Sequence, residues 1–251
     1  MRKDTATMLS QKSVQESLDS GEYAPKDNLP KAKLEDFEVG ARIGAGTFGV
    51  ILRVENKITR EEFALKVINK AQIGSLEHAN HIVRERNVLK YLSESRHYSP
   101  FIVRAFNTFH DIKSVYIQMD LVRGCDLLSR IRANEIRVKN NLHFYSAEVL
   151  CALEHLHANF IIYRDLKPEH VMIDKDGHCK LVDFGFAKRF DRNDQKRNHM
   201  RTFTNCGTPD YIAPEVLRGV GASFEADIWS LGVLICEIIS GKTPFYNENP
   251  Q

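Results

Sequence analysis

Tyr163-Arg164-Asp165-Leu166-Lys167-Pro168-Glu169-His170 and Asp183-Phe184-Gly185 are the two runs of this sequence that decide its fold. Further toward the C-terminus follow Cys206-Gly207-Thr208-Pro209-Asp210-Tyr211 and Ala213-Pro214-Glu215. Each triplet alone is common by chance, but together they predict a catalytic region in the second half of the chain.

Two further motifs lie earlier in the sequence. The run 44–49 is a glycine-rich turn between two β-like runs, and glycine lets a backbone approach phosphates closely. A strand-like run, Ile51–Val54, follows where a dinucleotide fold would open a helix, so a phosphate-binding hairpin or a plain hairpin remains. Lys66 lies inside the apolar run Phe63–Ile68, and Glu85 on the next helix is its expected partner. A surface lysine is the alternative.

The chain divides into a polar extension (1–36), a β-rich part (37–120) and a mostly helical part (121–251). Periodicity predicts the following elements. The strands are Phe37–Ile43, Val50–Val54, Phe63–Ile68, Ile102–Phe106, Val115–Leu121, Val171–Ile173 and Lys180–Val182, and the helices are about His78–Leu92, Leu142–His157 and Phe224–Ser240. The last helix is apolar nearly all round, which predicts burial on every side.

Composition limits the function classes. Hydrophobic residues make up 43% and charged residues 27%, which is ordinary for a globular chain, and a net charge of +2 gives no argument for nucleic acid or a membrane surface. Five cysteines without metal spacing predict reduced thiols and a cytoplasmic location, with the nucleus as the alternative. No run approaches the roughly 20 apolar residues of a membrane span, and we expect no signal peptide or myristoylation.

Taken together, these motifs resemble the eukaryotic serine/threonine protein kinases, and among them the cyclic-AMP-dependent kinase group (the AGC group). The closest similarities are in the runs 163–169, 183–188 and 207–215, and the likeness extends from about Phe37 to Gln251. The resemblance implies an α+β, bilobal protein-kinase fold. It has a β-rich N-lobe with one main helix, and a mostly helical C-lobe that here ends after the αF-type helix.

The resemblance also implies ATP and Mg²⁺ as cofactors, with Mn²⁺ as an alternative metal. Lys66, oriented by Glu85, would hold the α- and β-phosphates, and Asp183 would bind magnesium. Asp165 would accept or orient the proton of the substrate hydroxyl, and Lys167 would neutralise charge on the γ-phosphate. Thr208 completes the expected catalytic set. The residues expected to bind ATP are Gly44, Gly46, Phe48, Gly49, Ile51, Ala64, Lys66, Met119, Asp120, Val122 and Asp126.

Protein substrates with upstream basic residues are the partners that the resemblance implies. Acidic residues read such arginines in the family, and the matching residues Asp126, Glu169 and Glu237 predict an Arg-Arg-x-Ser/Thr preference. A regulatory subunit or an inhibitor protein is a further expected partner, whereas we expect no nucleic acid and no membrane.

Thr204 stands where the relatives are phosphorylated. A phosphate there would carry nearly two negative charges, and Arg164, Lys188 and His81 match the basic cradle that receives it in the family. The sequence therefore predicts a phosphorylation switch in this segment.

Two departures from the family pattern open a second hypothesis. The catalytic loop ends in His170 where the family has an asparagine whose oxygen binds the second magnesium, and a neutral imidazole is a poor substitute for oxygen. The sequence also stops after the helix with Asp227, whereas the family continues with three more helices, one of which usually supplies an arginine to Glu215. The leading hypothesis is an ATP-dependent serine/threonine kinase. The alternative is a catalytically impaired pseudokinase or truncated isoform that binds a nucleotide or a partner.

Overall fold

The structure, a computed structural model, describes residues 32–46, 49–133, 140–191, 200–204 and 206–246. Phe48 and most of the N-terminal extension lie outside the described residues. The chain forms two compact units. The first takes the described residues through Ser93 and Arg104–Leu121, and the second takes Glu94–Val103 and the described residues from Val122 onward. The predicted boundary near residue 120 is therefore close, but Glu94–Val103 belongs with the second unit.

The first unit is built on a five-stranded antiparallel sheet with the strand order β1-β2-β3-β5-β4. Its strands are β1 (Phe37–Gly46), β2 (Gly49–Asn56), β3 (Glu62–Asn69), β4 (Ala105–His110) and β5 (Ser114–Asp120). Strands β3 and β5 are the most buried, which accounts for their nearly continuous apolar sequences.

Helix α1 (Leu76–Ser93) is the one long helix described in the first unit. Ile82, Leu89 and Leu92 are buried at the spacing of a single helix face. Glu85 lies within the same buried stripe. A carboxylate among these apolar side chains requires a cationic partner.

One strand differs from its prediction. The run Ile102–Phe106 reads as a strand, but β4 begins only at Ala105. Residues 101–103 pair instead with the strand Cys179–Leu181 of the second unit. The Val103 N–H donates to the Leu181 carbonyl at 3.0 Å, and the Leu181 N–H donates to the Phe101 carbonyl at 2.8 Å. Local apolar pattern shows that a run is extended, but it does not show which sheet receives it.

The second unit combines short strand ladders with helices. Its elements are β6 (Gly124–Asp126), α2 (Leu127–Arg132), α3 (Leu142–Ala158), β7 (Ile161–Ile162), β8 (Val171–Asp174), β9 (Cys179–Leu181), β10 (Lys188–Arg189), α4 (Pro214–Leu217) and α5 (Phe224–Ser240). The ladders are β6-β8-β9 and β7-β10. The run 163–170 consequently lies between β7 and β8, and the run 182–187 lies between β9 and β10. No described helix is long and apolar enough to span a membrane.

Helix α5 has the predicted bounds, but it is not buried on every side. One face is buried through Leu231, Leu234 and Ile238, among others. On the other face, Ile228 is 47% and Ile239 is 54% exposed. One face of the helix is therefore buried and the other is exposed to solvent, although its sequence is apolar nearly all round.

We expect this exposed face of α5 to drive self-association, because contiguous exposed apolar surface favours contact with another copy. The double substitution Ile228→Glu with Ile239→Lys should shift the chain toward monomer in light scattering coupled to size-exclusion chromatography. Ile112→Glu, which changes an even more exposed isoleucine of the first unit, is the control and should leave the distribution unchanged. A wild-type chain that stays monomeric as its concentration rises contradicts the prediction.

Candidate active site

Asp165 is the centre of a buried polar cluster in the second unit. Its Oδ1 accepts the N–H and the hydroxyl of Thr208, at 3.1 and 3.0 Å. Its Oδ2 lies 3.3 Å from Nζ of Lys167, and this ammonium donates to Oγ1 of Thr208 at 3.0 Å. The three side chains thus form a closed ring in which a carboxylate, an ammonium and a hydroxyl hold one another in position.

Asp227, near the start of α5, fixes the backbone that leads into this cluster. Its carboxylate is fully buried and accepts the N–H groups of Tyr163 and Arg164 at 2.9 and 2.8 Å. Nε2 of His157 lies 2.7 Å from the same carboxylate. Arg164 has a φ of 71°, a backbone conformation that costs of order 1–3 kcal/mol for a residue with a side chain. The two bonds to Asp227 hold that conformation.

Asp227 has no role among the residues predicted from the sequence. A signal was nevertheless present, because it is one of only three carboxylates in a mostly apolar helix, and a charge in such surroundings needs a partner. Lys66 was singled out on that ground, and the same argument applies to Asp227.

Gly207 brings Thr208 to the ring. Its φ is 109°, and a Cβ at this position would lie 2.8 Å from the carbonyl oxygen of Arg164. Only glycine combines this backbone conformation with so close an approach. Close packing of the run 206–208 against the catalytic loop therefore requires glycine at position 207.

His170 is held in one tautomer by the loop itself. Its Nδ1 lies 2.9 Å from the backbone carbonyl oxygen of Asp165, and since a carbonyl only accepts, Nδ1 carries the hydrogen. In the neutral ring, Nε2 then presents its lone pair. This nitrogen lies 3.7 Å from Oδ2 of Asp183, so the imidazole faces that carboxylate.

Asp183 and His170 together can contribute an oxygen and a nitrogen to a metal ion. Among the described residues there is no group of three or more His, Cys, Asp or Glu side chains that could hold a metal without other ligands. Magnesium commonly binds one or two carboxylates and completes its shell with water and substrate phosphate, so a small donor set fits it. The nitrogen donor suits manganese better than magnesium.

Lys66 and Glu85 form a buried ion pair in the first unit. Nζ of Lys66 lies 2.6 Å from Oε1 of Glu85, and their side chains are only 7% and 3% exposed. The predicted pairing is confirmed. β3 supplies the cation and α1 supplies the carboxylate that makes its burial tolerable.

A comparison with known protein families matches residues 37–251 to the protein kinase domain. The chain belongs to the protein kinase family. Kinases of this family use ATP and Mg²⁺.

Curated relatives of this chain include cAMP-dependent protein kinases. The chain is 42% identical over 221 residues to the human cAMP-dependent protein kinase catalytic subunit PRKX. This alignment covers 88% of the chain and 58% of the relative. The chain is 40% identical over 227 residues to the human putative serine/threonine-protein kinase PRKY, covering 90% of this chain and 77% of the relative. With cAMP-dependent protein kinase type 3 of Saccharomyces cerevisiae it shares 41% identity over 224 residues, 89% of this chain and 53% of the relative. The chain thus spans between about half and three quarters of these relatives.

Four of the residues expected to contact ATP share one face of the kinase's first sheet. The ladder pairs Ile51 with Lys66 and Ala64 with Met119, and these two rows are two residues apart on β3. Side chains two residues apart on a strand point to the same face. The register thus groups Ile51, Ala64 and Met119 with the ion-paired Lys66.

The glycine-rich turn has a packing requirement at Gly49. A Cβ there would lie 1.9 Å from the carbonyl oxygen of Val67, so β2 can approach β3 only with glycine at this position. Gly44 is different, because its Cβ would make ordinary contacts with Ile51 at 3.4 Å and beyond. Gly46 ends β1 beside the undescribed residues 47 and 48.

The connector residues have local structural partners. Oδ2 of Asp120 accepts the N–H of Arg104 at 3.1 Å. Asp126 is the N-cap of α2, where its two oxygens accept the N–H and hydroxyl of Ser129 at 2.8 and 2.7 Å. Val122 begins the second unit and is partly buried.

Two of the three basic residues expected around Thr204, Arg164 and Lys188, contact Thr202. Nη1 of Arg164 and Nζ of Lys188 donate to Oγ1 of Thr202, at 3.3 and 3.2 Å. His81 is buried in α1 of the first unit. Phosphorylation of Thr204, two residues further along the chain, stays a prediction.

Glu237 lies in a cluster of negative charge on the second unit. Burial raises the pKa of its carboxyl, the hydrogen bond from the Tyr211 hydroxyl lowers it, and the nearby carboxylates of Glu169 and Asp210 raise it again, with a net increase. Arg132 on α2 lowers it slightly. These carboxylates repel one another, and a cation that binds among them would relieve the repulsion.

A clasp between α3 and the β8–β9 turn supports the strand that leads to Asp183. Oε2 of the buried Glu148 accepts the N–H of Cys179 at 2.7 Å, and Oε1 lies 2.6 Å from Nδ1 of His178. The hydrogen bond to Glu148 raises the pKa of His178. Burial raises the pKa of the Cys179 thiol.

Proposed function

We propose that this chain is an ATP-dependent protein kinase that transfers the γ-phosphate to serine or threonine of basic protein substrates. The observation that carries the proposal is the ring of Asp165, Lys167 and Thr208. It combines a buried proton acceptor with a cation that can neutralise developing phosphate charge. Phosphoryl transfer needs mainly positioning and charge neutralisation, so this arrangement suits it.

In the proposed reaction, the substrate hydroxyl oxygen forms a bond to the γ-phosphorus of ATP. The bond between that phosphorus and the bridging oxygen breaks, ADP leaves, and the hydroxyl proton passes to Oδ2 of Asp165. Thr208 holds Oδ1 of the same carboxylate through two hydrogen bonds, so its orientation is set beforehand. Lys167, 3.3 Å from Oδ2, stabilises negative charge on the transferred group.

Nucleotide binding is assigned to Lys66, Asp183 and the sheet face of Ile51, Ala64 and Met119. Lys66, held by Glu85, neutralises the α- and β-phosphates. The metal, when bound, neutralises phosphate charge, and its protein ligands in this proposal are Asp183 and Nε2 of His170. The remaining expected contacts, Gly44, Gly46, Phe48, Gly49, Asp120, Val122 and Asp126, stay predictions.

The test is transfer of labelled γ-phosphate from ATP to a peptide with two arginines upstream of serine. Asp165→Asn is the control, because an asparagine oxygen can still accept from Thr208 but takes up no proton at neutral pH. Transfer by the wild type that disappears in Asp165→Asn supports the proposal. Equal label incorporation by both chains would overturn it.

A nucleotide- or partner-binding module is the second candidate, and His170 is the observation that favours it. A nitrogen donor at the metal site is poorly suited to magnesium. Both a nucleotide-binding module and an enzyme should gain thermal stability from ATP with metal, so stabilisation does not separate them. Only the enzyme should release ADP.

Substrates and partners follow from the charge on the second unit and from the relatives. Glu169, Glu237 and Asp210 support recognition of upstream arginine. Several relatives are catalytic subunits of cAMP-dependent protein kinase, which supports a regulatory subunit or inhibitor as a partner. A cytoplasmic or nuclear location stays a prediction.

Glu237→Gln should have opposite effects on substrate binding and on stability. The loss of charge should raise KM for an arginine-containing peptide about tenfold, a difference of about 1.4 kcal/mol. The amide oxygen can still accept from Tyr211, and carboxylate repulsion is removed, so Tm should rise at pH 7. Because the folded-state pKa of Glu237 is raised, its ionisation costs stability as pH rises from the unfolded value through the folded one. The gain in Tm should therefore vanish on acidification.

The control for this prediction is Glu154→Gln, which neutralises an exposed carboxylate on α3. It should alter neither KM nor the dependence of Tm on pH. If Glu237→Gln leaves KM unchanged, arginine recognition by this cluster is wrong.

A further inference from the structure

Two cationic side chains of the second unit meet at the hydroxyl of Thr202. This residue is only 2% exposed, and its Oγ1 accepts from Nη1 of Arg164 at 3.3 Å and from Nζ of Lys188 at 3.2 Å. A threonine hydroxyl has two lone pairs, so one oxygen can accept both bonds. Bonds in which the donor is charged are roughly twice as strong as neutral ones.

Thr202 is itself anchored through its backbone. Its N–H donates to the Ala222 carbonyl at 2.9 Å, and the Ala222 N–H donates back to the Thr202 carbonyl at 2.8 Å. Nη1 of the adjacent Arg201 donates to the Gly221 carbonyl at 3.0 Å. The hydroxyl is therefore presented from a backbone segment that an isolated β-bridge to Ala222 holds in place.

Arg164 transmits this anchoring to the catalytic loop. It directly precedes Asp165, and its Nε donates to the Phe186 carbonyl at 2.7 Å while its Nη1 reaches Thr202. The guanidinium of Arg164 thus connects the catalytic loop with the run that follows Asp183 and with the bridged segment of Thr202. Its planar, rigid set of donors suits such a junction.

We propose that Thr202 is a positioning residue, whose hydroxyl holds Arg164 and Lys188 so that the catalytic loop is ordered before any phosphate is added to the segment. This rests on the kinase function proposed above. It differs from the Thr204 switch, because Arg164 and Lys188 here donate to a neutral hydroxyl and not to a phosphate.

The test uses the whole chain after phosphatase treatment, with the absence of phosphate verified by mass spectrometry. Thr202→Val keeps the shape and removes the hydroxyl, whereas Thr202→Ser keeps the hydroxyl. We expect kcat to fall about tenfold in Thr202→Val, the scale of one charge-assisted hydrogen bond, with KM for ATP unchanged. Thr202→Ser and Thr204→Ala should stay near the wild type.

A second readout does not depend on activity. Hydrogen exchange at the amides of residues 202 and 222 should be faster in Thr202→Val and near wild type in Thr202→Ser. Lys188→Met should reproduce both effects in the wild-type background and add little in Thr202→Val, as expected for residues in one network. If the wild type transfers no phosphate, the kinase proposal fails and the exchange data still decide the role of Thr202. If Thr202→Val does not fold, the comparison of Lys188→Met with Thr202→Ser decides.

The proposal is overturned if Thr202→Val, or in its absence Lys188→Met, matches the wild type in kcat and in exchange. It is also overturned if Thr202→Ser is as impaired as Thr202→Val, because the hydroxyl would then have no special part.

Discussion

His170→Asn should transfer phosphate with magnesium roughly 10²–10³ times faster than the wild type, the usual scale for one preorganised electrostatic contact. The reason is the ligand type. The His170 ring donates through Nδ1 to the Asp165 carbonyl and turns Nε2 toward Asp183. An asparagine amide can make the same donation and present an oxygen instead, which magnesium prefers. The measurement is kcat with a basic peptide at saturating ATP.

Manganese provides the control for this prediction. It accepts nitrogen ligands more readily, so it should raise wild-type kcat much more than that of His170→Asn. Metal-dependent stabilisation by ATP, followed by thermal melting, should show the same order without any need for turnover. If all four kcat values, for two chains and two metals, agree within about a factor of two, the imidazole is a tolerated ligand and the module hypothesis loses its main support.

Asp227→Asn should reduce the free energy of unfolding by about 3 kcal/mol, because a buried donor left without its acceptor costs about 1–3 kcal/mol. The two oxygens of Asp227 each accept one backbone N–H, from Tyr163 and from Arg164. An asparagine offers one oxygen, and its NH₂ group would face the other N–H. The left-handed backbone of Arg164 would lose one of its two supports, so kcat should fall as well.

Urea unfolding followed by circular dichroism measures the effect on stability. His157→Ala is the matched control, since it removes a bond to the same carboxylate while both backbone bonds remain. It should cost about 1 kcal/mol. An Asp227→Asn chain as stable as His157→Ala would show that the backbone bonds contribute little.

Helix and strand positions were largely predictable because apolar periodicity is local information. The helix Phe224–Ser240 has the bounds that its sequence predicts, and the strands of the first sheet agree to within a few residues apart from Ile102–Phe106. That run pairs with Leu181, far away in sequence, and no local pattern specifies such a partner. The exposure of Ile228 and Ile239 was equally hidden, because burial depends on which elements lie nearby.

The candidate site was predictable where a charge lies in an apolar run. Lys66 was found on this ground, and Glu85 was its expected partner because a buried lysine needs a counter-charge. The clasp of Glu148 with His178 and the contacts of Thr202 were missed, because ordinary helix and loop sequences surround them. Residue type and spacing identify candidate groups, but hydrogen-bond partners depend on distances of tenths of an ångström.

The reactivity of the Cys179 thiol reports whether the contact between Glu148 and the start of β9 has opened. Only the thiolate reacts readily with alkylating agents, and burial keeps this thiol protonated and covered. Cys151 and Cys236 are exposed on their helices, so they are open to reagent in the folded chain. Alkylation at Cys179 therefore reports that β8 and β9 have parted beside Asp183, while alkylation at the other two carries no such information.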